Sequence, residues 1–306
     1  MRNLDQDERR SGKRATLTWG ELSDVKEFSL PSYDPPDDTD LHALATELGI
    51  RIWMPDPRRA RRWQRVIRSA CESTRDRLPP RYATDTSLVP FRPRLAEALR
   101  PGLRILDVGA GARPMLPAEV RPKECTYVGF DVDGDELLKA PAGSYDDVVV
   151  GDVCELQADL VGRFDLVVSW LAMEHVKPVP VALHNLSRYQ RPGGGRFLGY
   201  LSGTFSVHAL LNRIVPHGIA KAAMQRLHAR RPDTVFRAHY DCCWYDALEA
   251  IAARSWARAE IVPLFTGGWY FRFSPLLRAP FLAYEEWAYA GGHRNLAAYY
   301  LLDAVV

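Results

Sequence analysis

The sequence predicts an α/β fold, an open and largely parallel sheet with helices on both faces. Three observations lead there. Short apolar runs recur between residues 104 and 201, each closing on a glycine, an acidic residue or a small polar residue. Helix-length segments separate them, which is the pattern of successive strand and helix units. The first run, Arg-Ile-Leu-Asp-Val at 104–108, passes straight into Gly-Ala-Gly-Ala-Arg-Pro. Glycines there accept backbone conformations that a Cβ penalises and let a ligand approach the main chain. Asp107, Gly109, Ala110 and Gly111 therefore form the first candidate site.

The second run, Cys-Thr-Tyr-Val-Gly-Phe-Asp at 125–131, ends on Asp131, twenty residues beyond Gly111, and is followed by Val132. A carboxylate at that place suits the two hydroxyls of a ribose. The third run, 147–153, closes on Gly151, Asp152 and Val153, which suits an adenine amino group. The fourth, 163–170, ends on Ser169 and Trp170 and leads into Leu-Ala-Met-Glu-His-Val, which carries Glu174 and His175. An Arg-Pro-Gly-Gly-Gly turn at 191–195 opens the fifth strand, 196–201.

These motifs, in this order, resemble the class I S-adenosylmethionine-dependent methyltransferases, and the Phe-Asp-Leu-Val-Val-Ser, Glu-His-Val and Arg-Pro-Gly-Gly segments resemble a large small-molecule subgroup of them. The resemblance covers about residues 100–205. It implies a Rossmann-like seven-stranded methyltransferase sheet with S-adenosylmethionine as cofactor. Asp107, Gly109, Ala110 and Gly111 would surround the methionine part, Asp131 with Val132 would hold the ribose, and Asp152 with Val153 would flank the adenine. Ser169 and Trp170 at the fourth strand's tip complete the implied cofactor set. Pro114 stands where a dinucleotide fingerprint has its third glycine, which argues against NAD.

The expected organisation is an N-terminal helical extension, 1–99, and a cofactor-binding domain, 100–306. Residues 1–40 are charged and contain prolines, as an exposed loop does. Leu41, Leu44 and Leu48 mark a short helix ended by Gly49. A second helix is predicted at 57–78, with arginines at 58, 59, 61, 62, 65, 68, 75 and 77 and with Trp63, Val66, Ile67 and Ala70 on its apolar side. Those arginines suit an anion or simply a solvated face, and the balanced overall charge favours the latter. In the related enzymes a helix ahead of the first strand often covers the cofactor, so Tyr82 and Arg94 are expected to close over it. After the fifth strand, 204–243 is read as an inserted helical lid, with a helix at 219–231, that shapes the acceptor pocket. The chain then gives a helix at 244–254, strands at 258–265 and 269–273 that complete the seven, and helices at 276–290 and 294–304.

A sulfonium is already an activated electrophile, so the protein's task is to align an acceptor with the methyl group. A base is needed only where the acceptor keeps its proton. His175 is the first candidate base, because imidazole titrates near neutral pH; Glu174 would orient it or begin a helix, and His239 is a further candidate. Tyr200, His208, His217 and Tyr240 are weaker ones, and each also reads as a structural residue. Trp170 and the aromatic cluster at 269–271 line an acceptor pocket or, more plainly, the core.

The expected activity is methyl transfer to a small-molecule acceptor, with oxygen favoured over nitrogen or carbon. A cofactor-binding module without methylation activity stays open, and so, on weaker grounds, does an NAD-dependent oxidoreductase. The 306-residue chain has 40 Lys and Arg against 38 Asp and Glu, so its charge of +2 demands no nucleic acid. Five cysteines, at 71, 125, 154, 242 and 243, show no metal spacing and no disulfide framework. No metal site is expected. The polar first ten residues lack the apolar core of a signal peptide, and no apolar run nears the ~20 residues of a membrane span, so a cytoplasmic location is expected. Oligomerisation stays open.

Overall fold

The structure is a computed structural model that describes residues 82, 90–207, 209–210, 238–271 and 275–306. The predicted helices at 41–49, 57–78 and 219–231, together with His208 and His217, lie outside the described residues.

Seven strands form one mixed sheet. They are β1 (Arg104–Val108), β2 (Thr126–Asp131), β3 (Asp147–Val150), β4 (Leu166–Trp170), β5 (Arg196–Ser202), β6 (Arg258–Leu264) and β7 (Tyr299–Val305), in the spatial order β3-β2-β1-β4-β5-β7-β6. The first five strands pair in parallel. β7 runs antiparallel between β5 and β6. Near-continuous apolar composition is what a sheet covered on both faces requires, and β1 and β4 are buried almost throughout.

Five α-helices are described: α1 (Phe91–Ala98), α2 (Gly134–Leu138), α3 (Val179–Tyr189), α4 (Tyr245–Ser255) and α5 (Pro275–Ala290). In α1, Phe91, Leu95 and Ala98 recur at helical spacing and are buried with Ile105, Val168, Leu198 and Leu301 on one face of the sheet. On the other face α3 and α4 bury Leu183, Leu186, Leu248 and Ala252 against Leu106, Val128, Val167 and Phe197. Asp133 begins α2 by accepting hydrogen bonds from the N–H groups of Asp135 and Glu136.

Two expectations about the C-terminal part are corrected. The aromatic stretch after β6 is not a strand: Gly267–Phe271 is a 3₁₀ turn, and residues 272–274 lie outside the described residues. The segment expected as a helix at 294–304 is a short 3₁₀ turn, Arg294–Leu296, followed by β7. The reason is burial on both sides. Tyr299, Tyr300, Leu301 and Leu302 are all nearly inaccessible, with alternate residues entering opposite cores. A run apolar on both faces has no periodicity with which to separate strand from helix.

The end of β7 is fixed by charge. Arg196 clamps Asp303 with two hydrogen bonds, Nε to Oδ1 at 2.8 Å and Nη2 to Oδ2 at 2.7 Å, and Arg94 adds an ion pair to Asp303 at 3.2 Å and one to Glu260 at 2.9 Å. Asp303 sits opposite Leu198, toward the amino end of β5, so Arg94 does not close over a pocket at the strands' carboxyl ends. Tyr82, by contrast, stands beside Gly268, past the end of β6 and so on the carboxyl side of the sheet, where a Cβ on the glycine would lie 3.4 Å from its ring.

Candidate cofactor and acceptor site

In an open parallel sheet the ligand crevice lies beyond the carboxyl ends of the strands, where neighbouring connections leave in opposite directions. Here that place is the edge shared by β1, β2 and β4. The turn after β1 carries Gly109 at φ +75° and Gly111 at φ +48°, both in the left-handed region. The N–H of Gly109 donates to the carbonyl of Phe130 at 2.9 Å, which seats the turn against the end of β2. A Cβ on Gly109 would come within 2.4 Å of the Ala172 Cβ, so the turn is packed directly against the segment after β4. A Cβ on Gly111 would point toward the Asp131 carboxylate, 3.7 Å away, and so into the cradle between the two.

Asp131 closes β2. Its Oδ2 accepts the N–H of Gly111 at 2.9 Å and its Oδ1 the N–H of Asp133 at 3.0 Å. Burial pushes this carboxyl above the usual range, against the pull of those two bonds. Val132 beside it is 71% exposed, an apolar side chain left on the rim. Asp152, exposed beyond β3, accepts the N–H of Cys154 at 2.8 Å, while Val153 is buried in the core.

Asp107 faces away from the rim. Its Oδ2 accepts the N–H of Met115 at 2.8 Å and the hydroxyl of Tyr127 at 2.7 Å. It is 3% exposed, and burial pushes its carboxyl up to about 6. The Tyr127 oxygen in turn accepts the N–H of Leu116 at 3.0 Å. The geometry therefore gives Asp107 a holding role for the far end of the glycine turn, a role the sequence reading did not give it.

Beyond β4, Leu171 takes φ +51°, costly for a branched side chain, and Met173–His175 form one 3₁₀ turn. Glu174 is buried; its Oε1 accepts the hydroxyl of Ser202, at the tip of β5, at 2.9 Å, and its Oε2 has no hydrogen-bond partner among the described residues. Burial raises its pKa. The carbonyl of Glu174 receives the N–H of His239 at 2.7 Å and that of Tyr240 at 3.0 Å. The returning chain is held further by Thr204 Oγ1, which donates to the Tyr240 carbonyl at 2.7 Å, and by Asp241 Oδ2, which accepts the first N–H of α3 at 3.1 Å. Glu174, His175 and His239, sixty-five residues apart at the extremes, thus meet at one turn; His175 is half-buried and His239 exposed.

Ser169 is fully buried, and its hydroxyl has no partner among the described residues. Trp170 is 9% exposed and stacks on Tyr200, with ring centres 4.2 Å apart, while Phe91 meets it edge-on. Tyr200 stacks in turn on Tyr299. This places Trp170 in the α1-side core. Cys243 is buried and Cys242 half-buried, and neither is in a disulfide. Among the described residues no group of three His, Cys, Asp or Glu side chains stands close enough to hold a metal ion, and no helix is long and apolar enough to cross a membrane.

Sequence reasoning missed Tyr127, Tyr145 and Ser202. One signal pointed to the second of these: a glycine at the centre of β2, Gly129, marks a close approach by some other group.

A methyltransferase-domain family model matches residues 81–255, more than half of the chain. Among solved structures, Haemonchus contortus phosphoethanolamine N-methyltransferase 2 bound to phosphomonomethylethanolamine and S-adenosylhomocysteine is 15% identical, with a TM-score of 0.43, covering 78% of this chain and 57% of that one. The same enzyme with S-adenosyl-L-methionine is 14% identical, with a TM-score of 0.42, covering 81% and 61%. An S-adenosylmethionine-dependent methyltransferase from Mesorhizobium loti is 18% identical, with a TM-score of 0.41, covering 67% and 91%. The chain therefore spans less than two thirds of the length of the Haemonchus enzyme. No curated protein matches it. The match over residues 81–255, with the seven-stranded order and the glycine turn after β1 with Asp131 beside it, assigns the chain to the methyltransferase-domain family, with the class I fold.

Proposed function

We propose that this domain transfers the methyl group of S-adenosylmethionine to a small molecule, with an oxygen as the favoured acceptor atom. The observation that carries the reading is the contact between the glycine turn and the segment after β4, which the 2.4 Å approach of a Gly109 Cβ to Ala172 measures. It supports an acceptor delivered to the cofactor from the side of Glu174 and His175. Gly109, Ala110 and Gly111 would hold the methionine part, Asp131 and Val132 the ribose, and Asp152 and Val153 the adenine end. Asp107 would support the turn from beneath, and Ser169 and Trp170 would back the site from β4. The bound cofactor supplies the electrophilic methyl group.

What remains for the chain is alignment and one proton. A hydroxyl acceptor keeps its proton at neutral pH and becomes a good nucleophile only as that proton leaves. His175, half-buried and next to the buried Glu174 carboxyl, is the base we assign, and the backbone of His239 and Tyr240 fastens the turn that carries it. An amine already free of its proton needs no such base, which is why oxygen is favoured. The four described cysteines form no disulfide and fit the cytoplasm, where we place the protein.

The test is incubation with S-adenosylmethionine and a matched panel of phenols, alcohols, carboxylic acids, amines and carbon acids, reading S-adenosylhomocysteine by mass spectrometry. Turnover confined to hydroxyl or carboxyl acceptors supports the reading, and turnover confined to amines or carbon acids moves the acceptor atom. Tight cofactor binding with no turnover on any acceptor favours a binding module instead.

A further inference from the structure

Gly129 sits in the middle of β2, where a glycine ordinarily weakens a strand. The ring of Tyr145 explains it. A Cβ on Gly129 would lie 2.8 and 2.9 Å from two carbons of that ring, so the missing side chain is the notch in which Tyr145 rests. Tyr145 also lies parallel to Tyr127, with ring centres 6.0 Å apart and planes 5° apart. From the notch its hydroxyl reaches two carbonyls of the glycine turn, Ala110 at 2.9 Å and Gly111 at 3.1 Å.

Those two carbonyls matter because of what their peptide groups do on the opposite side. The peptide joining Ala110 to Gly111 gives its carbonyl to Tyr145 and its N–H to Asp131 Oδ2 at 2.9 Å. One planar unit is thus held at both ends, and a rotation that released the tyrosine would carry the N–H away from the carboxylate. Burial and the nearby Asp107 and Asp131 carboxylates raise the Tyr145 phenol far above its ordinary value, so it stays a donor at every working pH.

We propose that Tyr145, seated in the Gly129 notch, is a positioning residue for cofactor binding: through the Ala110–Gly111 peptide it fixes the orientation in which Asp131 meets the ribose. The inference rests on the S-adenosylmethionine reading above. Tyr145 touches the turn from outside and acts through Asp131.

The experiment is a calorimetric titration of the full chain with S-adenosylhomocysteine, for wild type, Tyr145→Phe, Asp131→Ala and the double variant, with thermal unfolding alongside. Phenylalanine keeps the ring in its notch and removes only the donor. The expected result is a loss of affinity of about threefold to tenfold, the net worth of one hydrogen bond, with the unfolding midpoint kept. In the Asp131→Ala background the same change should add little, because the residue it acts through is gone. Gly129→Ala, which keeps the tyrosine but pushes its ring out of the notch and its hydroxyl away from the turn, should weaken binding as well. Wild-type affinity in Tyr145→Phe would show that the ring merely fills space and overturns the proposal, as would full additivity with Asp131→Ala or a drop in the unfolding midpoint that accounts for the loss. A wild-type chain that binds no S-adenosylhomocysteine overturns the cofactor reading and the proposal together.

Discussion

The hydroxyl of Ser202 donates to Oε1 of Glu174 across 2.9 Å with both groups buried, tying the tip of β5 to the turn after β4. A buried carboxylate that loses a donor retains its desolvation penalty without compensation. Ser202→Ala should therefore destabilise the domain by about 1–3 kcal/mol. Glu174→Gln, which still accepts the Ser202 hydroxyl and no longer buries an acid, should match or exceed the wild type at neutral pH. Denaturant unfolding of the two variants checks this, and the opposite order would mean that the ionised carboxylate itself holds the turn.

Asp107 predicts a pH dependence of stability. Its carboxyl rises from an ordinary value of 3.8 to about 6, so between those values the folded state binds more protons than the unfolded one. Its contribution is most favourable below about pH 4, falls as pH rises to about 6, and stays at the lower level above. Asp131 and Glu174, also raised by burial, add in the same direction. Asp107→Asn offers one oxygen to both Met115 and Tyr127 and does not titrate. The stability of the wild type relative to this variant should decline by roughly 1–3 kcal/mol between pH 4 and pH 7. A difference that is flat with pH would place the Asp107 carboxyl in its normal range.

Gly109 has two reasons to be glycine, its φ of +75° and the 2.4 Å approach of an added Cβ to Ala172. Gly109→Ala should lower stability by roughly 2–4 kcal/mol, combining the left-handed penalty with the displacement of the segment after β4. It should also weaken S-adenosylhomocysteine binding. Gly102, also at a positive φ but with open space around it, is the control: Gly102→Ala should show the conformational penalty alone. Equal losses at the two positions would remove the packing argument.

His175→Ala separates chemistry from binding. If His175 takes the acceptor's proton, turnover should fall about 100-fold or more while S-adenosylhomocysteine affinity is kept, since general-base catalysis is worth roughly 10²–10⁴. His239→Ala, whose contact with Glu174 is made by its backbone, should alter turnover far less. A parallel loss of affinity and turnover in His175→Ala would assign the residue a structural role.

Local chemistry wrote much of this into the sequence. Each of the first five strands is a short apolar run bounded by turn residues, so its place could be read from composition and spacing alone. Gly109, Gly111 and Asp131 were legible for the same reason, since a turn that needs positive φ and a carboxylate at a strand tip are properties of single residues. The seventh strand was not legible. Tyr299 to Leu302 are apolar on both faces because two cores receive them, and no periodicity marks such a run as strand or helix. The aromatic content of Trp269 and its neighbours suggests a strand, yet the chain turns there once it has left the sheet at Leu264.

What only the tertiary structure decided are relationships between distant residues. Asp107 reads as a ligand contact in sequence, but folding aims its Oδ2 at Met115 and Tyr127. Tyr145 reads as one aromatic in a polar loop, and only the notch at Gly129 brings its hydroxyl to the glycine turn. Glu174 is joined to His239 and Tyr240 by two backbone hydrogen bonds that no motif encodes. The physical reason is the same throughout. Backbone conformation and hydrophobic pattern are set within a few residues of chain, whereas burial of a polar group is settled by whichever partner the packed fold brings to it.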